Sequence, residues 1–301
     1  MAQLIGCLAL SHGPQLLMPP EKWHELPTRV ESEIPEKPEL AGALTLEEKQ
    51  SRFSRCRKAM EALRRTLDKW APDVVVVLGD DQHENLLDDN MPPFLIYAGK
   101  QAAATLKFGY LGERPTEQMT EYPTHPRFAL SLINELMARG FDPAWSTKTR
   151  YEAGLGHAFG RPLSFISPRR VYPIVPLMVN TYFPPVPSAK RCFEVGKALA
   201  RAIERCTNVN KVVVVASGGL SHVRIDEALD REFIRAVEKH DERYLSSVPA
   251  SVLVDGTSEL LIWIIIAAAA GKDGTVLDYV PCYRTITGIG CAMGFAYWER
   301  S

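Results

Sequence analysis

Residues 73–85 read DVVVVLGDDQHEN, an apolar run rich in β-branched residues that ends in a cluster of polar ones. Such a run is typical of a strand buried in a sheet that is covered on both faces. Four further runs of this kind are predicted strands, and most of them also end in polar, proline-rich or glycine-rich residues: 4–10, 94–97, 174–179 and 211–216. Because open α/β sheets place their sites at strand ends, we expect the chemistry at these tips.

Helical patterns alternate with the strand-like runs. The predicted helices are residues 46–70, 127–139, 189–206, 226–244 and 260–270. The alternation predicts an α/β fold with a central mixed sheet flanked by helices, in a single domain over residues 1–301. A proline-rich connection within residues 19–50 lacks clear periodicity, and we predict that it is an inserted lid or a partner-binding segment.

Composition narrows the classes of function. The chain has 35 basic and 36 acidic residues, which predicts no nucleic-acid partner and no acidic membrane surface. Its six cysteines form no CxxC pair and its first residues do not resemble a secretory signal, so we predict a cytoplasmic protein with reduced, mostly buried thiols. The apolar segment 260–270 is too short to span a bilayer. A small-molecule substrate fits this composition best.

Histidine is scarce, and its placement is informative. Five of the seven histidines lie in loop-like contexts after separate elements: His12, His83, His125, His157 and His222. One histidine at a strand end is more often a structural residue than a ligand, but five of them favour a shared site.

Other catalytic classes have weaker support. The chain has no GxSxG elbow, no GxGxxG motif and no Walker loop, which argues against serine hydrolases and nucleotide cofactors. Ser221 is a weak nucleophile candidate, because the side chains of Ser221 and His222 point apart if both are on a strand.

A metal site explains the placement of the histidines better than a serine hydrolase does. Two imidazoles and one carboxylate bound to a ferrous ion leave three adjacent coordination positions open. Glu259, at the start of the apolar segment SELLIWIII, is the best carboxylate candidate, because burying its charge is costly without a cation nearby. The alternative is a glutamate favoured by the helix macrodipole.

Six motifs in order along the chain resemble the class III extradiol ring-cleavage dioxygenases, the family that includes the catalytic beta subunit of protocatechuate 4,5-dioxygenase. They are SHGPQL, VVVVLGDDQHENL followed by PPFLI, GLGHAFGRPLSFI, VNTYFPPVPSAKRCFEVGKAL, SGGLSH and SELLIWIIIAAAAG. The resemblance implies an enzyme that uses Fe(II) and O2 to open the ring of a catechol-type substrate. It also implies a homo-oligomer, or pairing with a small helical subunit.

The same resemblance implies roles for individual residues. His12 and Glu259 would be iron ligands, and His222 would do acid/base work. His157 would be a catalytic or substrate-contacting group beside the pocket, and His125 would be a substrate-side residue. Apart from the resemblance, Arg161 and Arg284 are examples of basic residues that would suit a carboxylate on the ring, and the substrate stays open among protocatechuate, gallate, aminophenol and hydroxypyridone types.

The heptapeptide 79–85 departs from the family pattern. In the family the second histidine ligand follows an aspartate, and that register puts Gln82 at the ligand position, with His83 one place late. Ligand chemistry favours His83, which a local bulge would turn inward, whereas Gln82 would offer a weaker carbonyl oxygen. Two other functions therefore stay open: a metal-assisted hydrolase or lyase on the same scaffold, and a non-catalytic homologue.

Overall fold

The fold is built on a large mixed β-sheet, described by a computed structural model that covers residues 1–27, 34–108, 114–168 and 170–300. The strands are β1 (Gln3–Leu10), β2 (Val74–Asp80), β3 (Phe94–Tyr97), β4 (Gln101–Thr105), β5 (Met119–Pro123), β6 (Ala144–Ser146), β7 (Ile174–Val179), β8 (Lys211–Ser217), β9 (His222–Arg224), β10 (Thr275–Tyr283) and β11 (Ile289–Glu299). The α-helices are α1 (Leu46–Trp70), α2 (Pro126–Met137), α3 (His157–Ile166), α4 (Ala189–Arg205), α5 (Glu227–Glu238), α6 (Glu242–Ser247) and α7 (Leu260–Ala270). Short 3-10 helices cover Pro14–Leu17, Pro20–Glu25, Pro38–Leu44, Pro115–Glu117 and Asp255–Glu259.

The order of the strands explains where a site can form. Across the described residues the sheet runs β10-β11-β1-β8-β2-β7-β3-β6, and β9 pairs with β11 beside this path. The four central strands β1, β8, β2 and β7 are parallel, whereas β11 and β10 continue the sheet as an antiparallel hairpin. All four parallel strands therefore end at the same edge of the sheet. Strands β4 and β5 form a separate antiparallel pair.

Helices cover both faces of the sheet. Successive residues of β2 alternate between two cores: Val74 and Val76 pack with α2, α4 and α7, whereas Val75 and Val77 pack with α1 and α3. Because both faces of β2 are covered, every residue of the strand is buried. The predicted α/β class with a mixed sheet flanked by helices is confirmed.

Helix α7 lies at the centre of one of these cores. All eleven of its residues are buried, as an apolar helix without a polar face must be. A Cβ at Gly196 of α4 would collide with the carbonyl oxygen of Ile265, so glycine is what allows α4 to pack closely on α7. Glu259, directly before α7, is thereby held at the edge of the core.

Several predicted boundaries differ from the structure. Helix α1 is bounded as predicted, and the Thr45 side chain accepts a hydrogen bond from the Glu48 amide. The helix predicted over 226–244 is instead two helices, α5 and α6, which a left-handed His240 separates. The β10–β11 hairpin was not predicted, because Pro281 and the glycines of the second strand obscure its alternation.

The described part of the segment 19–50 is anchored rather than extended. Trp23 is fully buried and donates a hydrogen bond to the carbonyl oxygen of Gln15 at 3.0 Å. Residues 28–33 of the segment lie outside the described residues, and its function as a lid or partner-binding element stays a prediction. Among the described helices, none is both long enough and apolar enough to traverse a bilayer.

Candidate metal centre and active-site cavity

Three side chains from distant parts of the chain meet at the edge where the parallel strands end. His12 follows β1, Asp80 is the last residue of β2, and Glu259 precedes α7. Potential ligand atoms of all three lie within 4.8 Å of one another, and His12 Nε2 is 4.0 Å from Asp80 Oδ1. Their exposed fractions are 5%, 0% and 1%, so this is a buried cluster and not a patch of solvated charge.

His12 is oriented for ligation by its neighbour on the next strand. Its Nδ1 is 2.9 Å from the Ser217 hydroxyl, which leaves Nε2 directed toward the two carboxylates. Burial lowers the pKa of His12 to about 3, even though the Glu259 charge acts in the opposite direction. The imidazole is therefore neutral, which is the form that binds metal ions.

Asp80 is a buried carboxylate with one unused oxygen. Gln82 donates its Nε2–H to Asp80 Oδ2 at 3.0 Å, whereas Oδ1 has no hydrogen-bond partner among the described residues. Burial and the nearby Glu259 charge raise the pKa of Asp80 well above its ordinary value. Two ionised carboxylates in so small a volume need a compensating cation.

Glu259 is held from three sides. Its Oε2 accepts a hydrogen bond from the Gly219 amide at 2.7 Å, and its Oε1 accepts one from the Tyr182 hydroxyl at 2.9 Å. His222 Nε2 lies 3.2 Å from the same Oε1. Burial opposes ionisation, but the His222 and His12 imidazoles and the hydrogen bonds from His222 and the Gly219 amide together outweigh it and hold the pKa of Glu259 below its usual range.

Both nitrogens of the His222 ring face oxygen atoms. Nδ1 is 3.0 Å from the Leu220 carbonyl, and Nε2 is 3.2 Å from both Glu259 Oε1 and the Tyr182 hydroxyl. Burial disfavours the imidazolium, but Glu259 and this carbonyl outweigh burial and raise the pKa of His222 to about 9. A Cβ at Gly256 would overlap the imidazole, so glycine there makes room for the ring.

The cluster opens into a cavity of about 140 Å³. Its lining includes polar side chains (His12, Gln82, Tyr182, His222 and Glu259), two arginines and apolar side chains from β11. The arrangement combines acidic donors, a titratable imidazole and an apolar surface, as expected of a small-molecule site.

His157 forms another wall of this cavity and is the first residue of α3. Its backbone N–H and its Nδ1 both contact Glu84 Oε1, at 3.0 and 2.9 Å. The ring stacks on Phe108 with 4.2 Å between centroids and meets the His12 ring edge-on at 5.1 Å. Burial raises the pKa of Glu84 to about 7, although the His157 amide and Arg161 act against it. Glu84 thus fixes the orientation of an aromatic wall.

Gln82 and His83 are oriented in opposite directions. Gln82 lines the cavity and contacts Asp80. His83 has a left-handed backbone (φ 61°), stacks on Phe183 at 3.6 Å and lies 3.2 Å from Asp88, with its side chain 40% exposed. The structure therefore does not bring His83 to His12 and Glu259, and the bulge that would turn it inward is not formed. A ligand role for Gln82 stays a prediction.

Two further candidates from the sequence lie outside the cavity wall. His125 is the N-cap of α2, where its Nδ1 accepts a hydrogen bond from the Phe128 amide at 3.1 Å. Ser221 is fully buried and donates its hydroxyl proton to Asp230 at 2.7 Å, so it is not placed as a nucleophile. Of the five histidines singled out, the structure brings His12, His157 and His222 to one cavity.

Sequence reasoning missed Asp80, Tyr182 and Glu84. A signal for Asp80 was present, because it ends a strand that is otherwise continuously apolar and a carboxylate in that position must find a partner. Tyr182 gave no such signal, since its contacts come from two segments that are distant in sequence.

The donor set fits a divalent cation. It offers one neutral imidazole nitrogen and carboxylate oxygens, and the partnerless Asp80 Oδ1 is a buried polar atom that a metal ion would satisfy. The set differs from the two imidazoles and one carboxylate expected from the sequence, because it contains a second carboxylate, Asp80, and one histidine.

Comparisons with known proteins show to which family the chain is related. A family model described as the catalytic LigB subunit of aromatic ring-opening dioxygenase matches residues 6–292. The chain is 28% identical over 165 residues to a 2,3-dihydroxyphenylpropionate/2,3-dihydroxicinnamic acid 1,2-dioxygenase of Cupriavidus necator, covering 55% of this chain and 48% of that protein. It is 30% identical over 161 residues to a protein of the same name from Paraburkholderia xenovorans (strain LB400), covering 54% and 46%. The chain thus spans about half the length of the curated relatives that it matches.

A solved structure has the same overall fold. The uncharacterized protein JW3007 from Escherichia coli K12 superposes with a TM-score of 0.55, over 97% of this chain and 99% of that one. At 17% identity this likeness concerns the fold alone.

Proposed function

We propose that this chain, which belongs to the family of catalytic LigB subunits of aromatic ring-opening dioxygenases, is a metal-dependent extradiol dioxygenase. It opens the ring of a small ortho-dihydroxylated aromatic and inserts both atoms of O2. Family membership confirms the resemblance predicted from the sequence. The observation that carries the proposal is the buried meeting of His12, Asp80 and Glu259, of which His12 and Glu259 line the cavity.

The metal would be held by His12 Nε2, Asp80 and Glu259, and we assign it as Fe(II). When bound, it supplies the Lewis-acid and redox chemistry that the reaction of an aromatic diol with O2 requires. Imidazole nitrogen and carboxylate oxygen are both acceptable donors to ferrous iron. Gln82 is the competing donor, because its amide lies beside Asp80 on the cavity wall.

His222 is the acid/base residue of the proposal. Its Nε2 reaches the cavity between Tyr182 and Glu259, and it can accept a proton from a substrate hydroxyl and return one during ring opening. A cation bound to Glu259 would disfavour the imidazolium and so lower the pKa of His222. Tyr182 keeps the ring in place by contacting Nε2.

His157 positions the aromatic substrate. Its ring is fixed by Glu84 and backed by Phe108, which makes a rigid flat wall beside His12. An aromatic ring gains stacking energy on such a wall, and the buried apolar side chain of Met293 helps to exclude water from the site. His157 is thus proposed as a substrate-contacting residue.

Anaerobic loading with Fe(II), followed by oxygen-electrode measurements with a panel of catechols, tests the proposal. We expect one O2 consumed per substrate and a product 32 mass units heavier, the mass of the added O2, as the stoichiometry of a dioxygenase requires. Substrate loss without O2 uptake would instead indicate a metal-assisted hydrolase or lyase, which the second carboxylate in the donor set favours. Loss of neither substrate nor O2 would indicate a non-catalytic homologue.

We also propose a cytoplasmic location, supported by the six cysteines, which are all unpaired. The remaining proposed partners are the small aromatic substrate and O2. A homo-oligomer or a complex with a small helical subunit stays a prediction.

A further inference from the structure

A buried carboxylate outside the cavity fastens the residue that precedes His222. Asp230, on α5, is 0% exposed and does not belong to the cavity lining that the described residues form. Its Oδ1 accepts a hydrogen bond from the Ser221 amide at 2.8 Å, and its Oδ2 accepts one from the Ser221 hydroxyl at 2.7 Å. The Tyr279 hydroxyl also donates to Oδ2, at 2.8 Å. Because burying a carboxylate is costly unless such donors meet it, Ser221 and Asp230 hold each other in one arrangement.

A single peptide group connects Asp230 with the imidazole of His222. In a planar trans peptide the N–H and the C=O point in opposite directions. The Ser221 N–H points to Asp230, and the carbonyl oxygen of Leu220, which belongs to the same peptide group, lies 3.0 Å from His222 Nδ1. Because a carbonyl oxygen can only accept a hydrogen bond, Nδ1 carries a proton, and Nε2 is the nitrogen that faces Glu259.

Every polar atom of Ser221 has a hydrogen-bond partner. In addition to its bonds with Asp230, its hydroxyl accepts a hydrogen bond from the Asp226 amide at 2.8 Å, and its carbonyl oxygen accepts one from the Ala292 amide of β11 at 2.9 Å. The contacts at His222 Nε2 have to be exchanged when a substrate proton is transferred, whereas those of Ser221 need not change. The backbone before His222 is therefore held independently of the groups in the cavity.

We propose that Asp230 is a positioning residue for His222. Through the peptide between Leu220 and Ser221 it sets the direction of the imidazole and keeps a proton on Nδ1, so that Nε2 is available to a substrate hydroxyl. The inference rests on the proposed function, because it matters for catalysis only if His222 transfers protons. The charge of Asp230 polarises the peptide and makes the Leu220 carbonyl a stronger acceptor. Asparagine cannot replace it, since the amide NH2 would face either the Ser221 amide or the two hydroxyl donors.

Nuclear magnetic resonance of protein labelled with 15N-histidine tests this role without turnover. The ring nitrogen resonances are recorded at one fixed pH for metal-free and Zn(II)-loaded protein, and those of His222 are identified by their absence in His222→Gln. We expect Asp230→Asn to displace the His222 Nδ1 resonance and to leave those of His12 and His157 in place. Ser221→Ala should displace it in the same direction. Tyr283→Phe is the matched control, because it removes a hydrogen bond from β10 to Glu227 of the same helix.

Kinetics of the same variants separate positioning from a general loss of structure. In Asp230→Asn, kcat should fall by about 10-fold, less than the effect of about 100-fold that a displacement of 1 Å can have. KM and metal content should stay within about twofold, as expected when only proton transfer is affected. Tyr283→Phe should keep kcat within about twofold of the unaltered protein.

An unmoved Nδ1 resonance, an equal displacement in Tyr283→Phe, or a normal kcat in folded Asp230→Asn would overturn the role of Asp230. If Asp230→Asn does not fold, Ser221→Ala decides by the same resonance, because it removes a single hydroxyl. Absence of O2 uptake by the unaltered protein would overturn the dioxygenase proposal instead, and the resonance would still decide whether Asp230 orients His222.

Discussion

The tips of β2 and β8 are adjacent, and they are built differently. Both strands are parallel, buried and rich in valine, and the segments that follow them contribute Gln82 and Gly219 to the cavity wall. The tip of β8 carries Gly218 and Gly219, and the Gly219 amide binds the Glu259 carboxylate directly. The tip of β2 carries charged and polar side chains, of which Asp80 faces inward and His83 faces outward.

This contrast shows two ways in which strand ends serve a site. The β8 tip acts mainly as a support: Ser217 orients His12, the Gly219 amide orients Glu259, and His222 is the one residue that offers titratable chemistry to the cavity. The β2 tip offers a donor, Asp80, whose Oδ1 has no hydrogen-bond partner among the described residues. If the comparison is correct, changes at the two tips will affect different measurements.

The largest effect is expected at His222. His222→Gln removes the proton-transfer group and should lower kcat by about 100- to 10,000-fold, because acid/base groups contribute factors of this size. Metal content, measured by mass spectrometry after anaerobic reconstitution, should stay at the level of the unaltered protein. Normal turnover would remove His222 from the mechanism, and loss of metal would make it a ligand.

At the β2 tip, Asp80→Asn should have the largest effect, and the property that it changes is metal affinity rather than kcat. The amide is nearly isosteric with the carboxylate but carries no charge. We expect the affinity for Fe(II) or Mn(II) to fall by about 100-fold or more, because loss of a residue that only hydrogen-bonds to a ligand already costs about 10- to 100-fold. His83→Ala is the matched control and should retain metal within about twofold, because its ring lies outside the cluster. Metal loss in His83→Ala with retention in Asp80→Asn would reverse the assignment.

Gly256→Ala should disturb the proton-transfer group without touching a ligand. The added Cβ would overlap His222, and a displacement of this group by about 1 Å can reduce kcat by about 100-fold. Gly42→Ala is the control, because a Cβ there meets nothing within 4 Å. Thermal unfolding should be recorded for both variants, and a normal kcat in folded Gly256→Ala would show that the position of His222 is adaptable.

Ser217→Ala should have the smallest effect of the four. It removes the hydrogen bond to His12 Nδ1 but leaves the ligand itself, so metal affinity should fall by about 10-fold, at the lower end of what such partners contribute. Isothermal titration with Mn(II) measures the change, and Ser217→Thr, which keeps the hydroxyl, should recover most of it. An unaltered affinity in Ser217→Ala would show that His12 is positioned by packing alone.

The sequence allowed the prediction of those parts of the site that depend on strand ends. The valine runs located β2 and β8, and the parallel arrangement brings the segments after β1 and β8 to one edge, so His12 and His222 meet there. Glu259 was found because a carboxylate that opens an apolar helix is costly. The choice between Gln82 and His83 could not be predicted, since it depends on the left-handed backbone at His83 and on its contact with Phe183, 100 residues later. Helix α3 was missed because Pro162 and Gly160 within it, and Gly154 and Gly156 just before it, resemble a loop.

The burial of helix α7 determines how rarely the ligand Glu259 can leave its position. Glu259 leads directly into eleven buried residues, and its side chain is fastened to β8 by the Gly219 amide. Moving this carboxylate would require exposing the apolar helix, so its excursions should be as rare as opening of the whole core. Amide hydrogens of α7 should therefore exchange with solvent only through global unfolding, and the constellation should persist in protein stripped of metal.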